Sequence, residues 1–194
     1  MKGLNLQQHG RGDNMSTYEA VLFQTQQGFA VDLKLILPED ACALQQLLSH
    51  PEVQPHIRMR YDTGSDYAQV EKLVNRMLCA FDPCALHAGI YLKSQQKLIG
   101  MVALQNWNRR EGKATLGYIL GRAWWGYGYA TEAVGLLLNY SVHTLGITRI
   151  EGRCKGDNFR SERVMIKNGM ILERVMPRVG SIDDVMKVFT LLHK

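Results

Sequence analysis

Hydrophobic positions along this chain switch between a two-residue and a three-to-four-residue spacing, and the order of the switches sets its class. Tyr18–Gln24 and Phe29–Leu37 read as extended, with Gln26-Gln27-Gly28 as the turn between them. Pro38-Glu39-Asp40 opens a helix with Cys42, Leu44, Leu47 and Leu48 on its apolar side, and His50-Pro51 ends it. Val53–Tyr61 has no period. Thr63-Gly64-Ser65 caps a second helix, where Val70, Leu73, Val74, Met77 and Leu78 recur at helical spacing and read as core. Ala85–Leu92, Lys97–Leu104 and Lys113–Leu120 read as strands. The turn Ser94-Gln95-Gln96 and the polar loop Asn106–Gly112 join them into an antiparallel meander.

The second half changes rhythm. Ala130–Thr144 is helical and Thr148–Cys154 extended, so residues 114–154 form a βαβ unit with two parallel strands. A short helix from Phe159 to Asn168 is stopped by Gly169. Met170–Met176 and Val185–His193 then close as a hairpin across Pro177–Asp184. Strands, one crossover and strands again predict an α+β fold: a mostly antiparallel twisted sheet with one parallel crossover and flanking helices. Met1–Asn14 is polar, with Gly3, Gly10 and Gly12. Residues 1–16 read as a flexible tail, with Met15 as an alternative start, and residues 17–194 as one domain.

Composition adds limits. The chain has 194 residues, 46% hydrophobic and 21% charged, which suits one globular domain with a substantial core. Lys+Arg of 23 against Asp+Glu of 18 gives a net charge of +5. That surplus is too diffuse to argue for direct nucleic-acid binding, yet it fits a polyanionic ligand. No apolar run approaches the ~20 residues of a membrane span, and no signal peptide is visible, so a cytoplasmic location is expected. Cys42, Cys79, Cys84 and Cys154 form no C-x-x-C pair, and no H-x-x-x-H occurs. The expectation is therefore reduced thiols and no metal site, with His87 and His143 structural.

The stretch with the most chemistry is Trp124-Trp125-Gly126-Tyr127-Gly128-Tyr129-Ala130-Thr131-Glu132-Ala133, between a strand and a helix. Two glycines one residue apart at a helix entrance expose backbone N–H groups, which suits a phosphate-bearing ligand. With Glu151 further on, a dinucleotide-binding unit is one reading. Thr131 replaces its third glycine, however, and the glycines lie several residues beyond the strand.

Four segments in order carry a resemblance. They are Leu35-Ile36-Leu37-Pro38-Glu39-Asp40-Ala41; Leu98-Ile99-Gly100-Met101-Val102; Leu116-Gly117-Tyr118-Ile119-Leu120 with Trp125–Ala133; and Asn158-Phe159-Arg160-Ser161 with Met165-Ile166-Lys167-Asn168-Gly169-Met170. Together they resemble the GNAT superfamily of N-acetyltransferases, and within it the branch of ribosomal-protein N-terminal acetyltransferases. The resemblance implies acetyl-CoA as cosubstrate and direct attack by an amine in a ternary complex. It implies that backbone N–H groups of Gly126, Tyr127, Gly128, Tyr129, Ala130 and Thr131 hold the pyrophosphate. Tyr118, Ile119 and Leu120 would pair with the pantetheine arm as an added strand, and Asn158 would hydrogen-bond its amides. Ser161 would protonate the leaving thiolate, since Met165 stands where some relatives carry a tyrosine. Trp125 replaces the family's Gln or Arg. Thr115 stands where the branch often has a glutamate, leaving Glu151 as the candidate general base.

Each assignment has a plainer counterpart. Asn158 and Ser161 are also good helix-capping residues, and Glu151 also reads as an ion-paired strand carboxylate. Arg160, Arg163 and Lys167 form a basic stripe that is either solvated or in contact with the CoA 3′-phosphate or an acidic substrate. A non-catalytic acyl-CoA-binding module stays open, and so does an oligomer. The acceptor would be shaped by Val53–Tyr61, Asn106–Gly112 and Pro177–Asp184, which have no readable pattern. An α-amine is about 10 to 20% neutral at pH 7, whereas a lysine amine is neutral at roughly 0.04%. A site without an evident base therefore suits an α-amine, such as a protein or peptide N-terminus, with polyamines, amino acids and antibiotics as alternatives.

Overall fold

Among the described residues of the computed structural model, eight strands form one sheet. They are β1 (Gln26–Gln27), β2 (Val31–Lys34), β3 (Leu86–Leu92), β4 (Lys97–Asn108), β5 (Lys113–Leu120), β6 (Arg149–Lys155), β7 (Ile171–Arg178) and β8 (Ser181–Leu192). They lie in the order β1-β2-β3-β4-β5-β6-β8-β7. Every neighbouring pair is antiparallel except β5 with β6, which is parallel. Three helices with described bounds flank the sheet: α1 (Ala41–Leu48), α2 (Tyr129–His143) and α3 (Phe159–Lys167). The structure describes residues 23–56, 84–178 and 181–193, with Asn75. The expected tail, most of the expected second helix, Cys79 and most of Val53–Tyr61 lie outside the described residues. The α+β sheet with one crossover is the fold that the spacing predicts.

Period-two alternation assigns the helices to opposite faces. Met101 and Ala103 of β4, with Ile119 of β5, pack against Leu44 and Leu48 of α1. Val102, Leu104, Leu116 and Leu120 face the other way, into the larger core with Ala133, Val134 and Leu137 of α2. The buried residues of α2 fall at 133, 134, 137, 138, 140 and 141, one stripe of a 3.6-residue helix. Met165 of α3 closes this core against β6: a Cβ at Gly152 would stand 2.5 Å from its sulfur.

Local chemistry corrects several sequence boundaries. Gln26 and Gln27 are paired with Leu33 and Asp32, so the first turn is Gly28–Ala30. A Cβ at Gly28 would sit 2.4 Å from the Val31 carbonyl, and the Glu132 carboxylate of α2 accepts from the Ala30 N–H at 2.9 Å. Pro38–Asp40 is a 3-10 turn before α1, pinned where the Asp40 carboxylate accepts from the Leu37 N–H and the Tyr91 phenol. Cys42 is exposed and does not share the apolar side of α1. β4 continues through Asn108, because Trp107 is buried and its N–H donates to the Cys84 carbonyl at 2.8 Å. The polar loop is thus 109–112. The Pro177–Asp184 loop is mostly strand, since β7 runs to Arg178 and β8 starts at Ser181.

Gly100 governs how β5 ends. A Cβ there would lie 2.4 Å from the Ile119 carbonyl and 3.1 Å from the Leu120 Cα, both backbone atoms that cannot swing aside. Gly100→Ala is expected to lower stability by about 1–3 kcal/mol, measured by urea denaturation. A wild-type midpoint would contradict this account of the β4–β5 contact.

Candidate active site

β5 and β6 pair only from Lys113↔Arg149 to Leu116↔Gly152. Beyond that, β5 keeps β4 as far as Gly100↔Leu120, while β6 keeps β8 as far as Lys155↔Met186. The two parallel strands therefore part, and each leaves a run of ladder positions without a strand on the inner side.

The hydrogen-bond phase says which groups of β5 face the gap. The Gly121 N–H donates to the Ile99 carbonyl at 2.9 Å, and Ile119 lies opposite Met101. In an antiparallel pair the bonded residues alternate, so Ile119 spends its backbone groups on β4. Those of Tyr118 and Leu120 point into the gap. This corrects the expected three-residue edge: Ile119 is not available for strand addition, and its side chain packs toward α1. The Leu120 carbonyl is also engaged, by the Trp125 indole N–H at 2.7 Å. What the edge offers is the N–H and C=O of Tyr118 and the N–H of Leu120.

The glycine stretch follows at once. Gly126 and Gly128 adopt φ of +89° and +87°, a backbone form that favours glycine, and a Cβ at either would meet nothing within 4 Å. Conformation, not crowding, selects glycine here, and the space beside both is open. Gly128 is the N-cap of α2 and no side chain caps that end. The first helical bond is Glu132 N–H to the Gly128 carbonyl at 3.1 Å. The N–H groups from Gly126 to Thr131 take no acceptor among the described residues. Six donors with no acceptor among the described residues thus follow one another into a positive helix end, a succession that suits a pyrophosphate. Tyr127 is 69% exposed and stacks on Tyr129 at 5.7 Å between ring centroids.

α3 forms the opposite wall. The Asn158 side chain accepts from the Ser161 N–H at 3.0 Å, an N-cap bond that the residue types predict. The Ser161 hydroxyl lies 2.6 Å from the Tyr118 phenol, which also reaches the Ser161 carbonyl at 2.9 Å. Burial pushes this phenol well above its usual pKa, the Ser161 contact opposing. Met165 is buried in the core. Arg122 and Arg160 each stand 5.1 Å from the Trp125 ring, and Arg122 binds Glu52 at 2.9 Å. That chain of contacts links the segment after α1 with β5 and α3.

Glu151 is placed differently. It alternates with Ile150 and Gly152, so it lies on the face of the sheet away from Ser161. Arg149 at 3.0 Å, Arg153 at 3.1 Å and Arg174 at 3.4 Å surround its carboxylate. Burial works against ionisation, but bonds from Arg149 and Arg153 and the Arg174 charge outweigh it and hold the pKa below the usual range. A carboxylate engaged by three guanidinium groups is a weak proton acceptor. Among the described residues, no cluster of three or more His, Cys, Asp or Glu is placed to hold a metal, and no helix is long and apolar enough to cross a membrane. A cavity of about 290 Å³ lined by Trp107, Arg109, Tyr140 and Leu145 lies at the other end of β5 and α2, remote from the glycines. The convergent donors at the gap, not this hollow, define the site.

Two features of the candidate site have no counterpart in the sequence reading. That reading gives a role only to the Tyr118 backbone, although a tyrosine on the inner face of a strand next to a cofactor motif is a usable signal. The Trp125 indole bond had no precursor, since a tryptophan in place of Gln or Arg does not say what it will cap.

Two parallel strands part beside a glycine-led helix whose first turn no side chain caps, and a family model described as an acetyltransferase (GNAT) domain matches residues 31–171. The chain belongs to this GNAT family, whose members are N-acetyltransferases. It is 30% identical over 162 residues to the uncharacterized N-acetyltransferase p20 of Bacillus licheniformis, covering 80% of this chain and 89% of the relative. A ribosomal-protein-serine acetyltransferase of Escherichia coli K12 is 26% identical over 90 residues, covering 46% and 50%. In structure, the microcin C7 self-immunity acetyltransferase MccE, solved with acetyl-CoA and AMP, aligns with a TM-score of 0.70 at 19% identity over 86% of this chain and 94% of its own.

The Glu151 cluster yields a pH test. A lowered folded-state pKa means that the carboxylate contributes stability above its usual value of 4.5 and loses it as pH falls through the folded value. Glu151→Gln should therefore be less stable than wild type at pH 7, with the difference shrinking toward pH 3, read by urea denaturation. A difference that grows on acidification would overturn the assignment.

Proposed function

We propose that the protein transfers an acetyl group from acetyl-CoA to a primary amine, with a peptide or protein N-terminal α-amine as the acceptor class. The observation that carries this reading is the open donor array: the N–H groups of Gly126 to Thr131, continuous with the outward backbone groups of Tyr118 and Leu120. A pyrophosphate suits the first part and an amide-bearing arm suits the second, by strand addition. The resemblance places Asn158 against that arm as well, and its bond from the Ser161 N–H sets it beside Ser161 at the start of α3.

Acetyl-CoA supplies an activated acyl group on a sulfur leaving group. The chain's own work is to orient that group along β5, exclude the Leu120 carbonyl from competing by holding it with Trp125, and present the Ser161 hydroxyl. A backbone N–H of β5 facing the gap is suited to an acyl oxygen that gains negative charge. We assign no general base to Glu151, given its three arginines and its position on the far face. The acceptor must then arrive neutral, which favours the α-amine over the ε-amine by the difference between pKa values near 8 and 10.4. The E. coli relative named for ribosomal-protein serine acetylation supports the same class.

Two measurements test this. Thiol release from acetyl-CoA should be at least tenfold faster with a free-N-terminus peptide than with an N-blocked peptide bearing one lysine. Equal rates would contradict the α-amine assignment. Gly128→Trp should abolish CoA binding by calorimetry, whereas Gly146→Trp should not. Gly146 shares a positive φ of 66° and open surroundings, but lies at the other end of α2. Wild-type affinity in Gly128→Trp would sink the cradle.

A further inference from the structure

Ser161 is held at three points, more than a capping residue needs. Its N–H goes to Asn158 at 3.0 Å, its carbonyl receives the Tyr118 phenol at 2.9 Å, and its hydroxyl lies 2.6 Å from the same phenol oxygen. Asn158 already caps α3, so the Ser161 hydroxyl is not spent on that end of the helix. Tyr118 reaches it across the gap from β5, and the same residue turns its backbone groups toward that gap.

We propose that Tyr118 is the positioning residue for Ser161, and that the two hydroxyls act as one neutral hydrogen-bond donor to the sulfur of the acyl donor. This rests on the acetyl-CoA reading above. The phenol has one proton and two acceptors in reach. When it donates to the Ser161 carbonyl, the Ser161 O–H turns inward to the phenol oxygen. When it donates to Ser161 Oγ, the Ser161 proton is released to a third atom. A sulfur that gains negative charge favours the second arrangement, and the exchange needs only two O–H rotations.

The pair does not act by giving up a proton. A thiol has a pKa of about 8.5 and an ordinary phenol about 10, so proton transfer from phenol to sulfur is uphill by about thirtyfold. Burial of Tyr118 steepens that gradient. The resemblance implies that Ser161 protonates the thiolate; the geometry assigns it hydrogen bonding instead, with the proton supplied by the amine as it is acylated. Among the described residues, the titratable neighbours of the pair include Cys154 of β6, Arg160 of α3, and Glu162 of α3, which is paired with Lys187 of β8 at 2.8 Å.

The test uses the full chain with Tyr118→Phe, Ser161→Ala, Ser161→Thr and the double variant. Each of Tyr118→Phe and Ser161→Ala should lower kcat about tenfold to a hundredfold, with KM for acetyl-CoA within about threefold. The double variant should lose no more than the worse single variant, as groups that act as a unit do, and Ser161→Thr should regain most of the rate. Losses that multiply would overturn the pairing. Should Tyr118→Phe fail to fold, Tyr118→Leu takes its place as the variant without the hydroxyl, with the same expected loss. A second readout needs no turnover. Wild-type affinity for CoA should rise between pH 7 and pH 9.5, as its thiol ionises, and the rise should vanish in Ser161→Ala. Desulfo-CoA, which lacks the sulfur, should show no rise in either protein. Equal pH dependence for CoA and desulfo-CoA in the wild type would overturn the proposal. Thiol release by no amine at all, with normal CoA binding, would instead overturn the functional reading.

Discussion

The β5–β6 ladder stops after four residue pairs, at Leu116 and Gly152, and the chemistry of the molecule follows from that stop. An unbroken ladder admits no further strand, but an extended segment can enter where two parallel strands separate. Each strand leaves with a different escort: β5 stays with β4, and β6 stays with β8. Gly100 lets β4 and β5 approach to a distance that a Cβ would forbid, which fixes the course of β5 to its last residue. On the far side, Gly152 lets Met165 of α3 settle on β6, and α3 in turn brings Asn158 and Ser161 to the gap.

The same separation explains why Tyr118 bridges two walls. Its backbone belongs to the edge that a ligand would extend, while its side chain crosses to α3 and holds Ser161. Trp125 closes the end of that edge by occupying the Leu120 carbonyl, then lies between Arg122 and Arg160. Beyond it, positive φ at Gly126 and Gly128 turns the chain into α2, leaving donors unspent. Edge, end-stop and cradle are consecutive in sequence because one strand-to-helix connection builds all three.

Much of this is legible in the sequence. The meander, the crossover and the α2 stripe come from periodicity, which reports burial directly. The glycine stretch was legible because a positive φ restricts residue choice. Boundaries failed where a tertiary contact overrode a local signal. Gln26 and Gln27 look like turn residues, yet Glu132 ties the following residues into a tighter bend. Asn106 looks like the start of a loop, but burial of Trp107 carries the strand past it. Glu151 could be named and not placed, since its three arginines come from β6 and β7. Ile119 was included in the open edge because hydrogen-bond phase is invisible in a sequence.

Amide hydrogen exchange, followed residue by residue with and without saturating acetyl-CoA, shows whether the parted strand edge takes up the acyl donor. Strong new protection is expected at the N–H groups of Tyr118 and Leu120 and through Gly126–Thr131. Ile119, already bonded to β4, should be slow to exchange in both states. Binding that leaves Tyr118 and Leu120 unprotected, or that slows Ile119 instead, would contradict the claim that a parted strand edge holds the acyl donor.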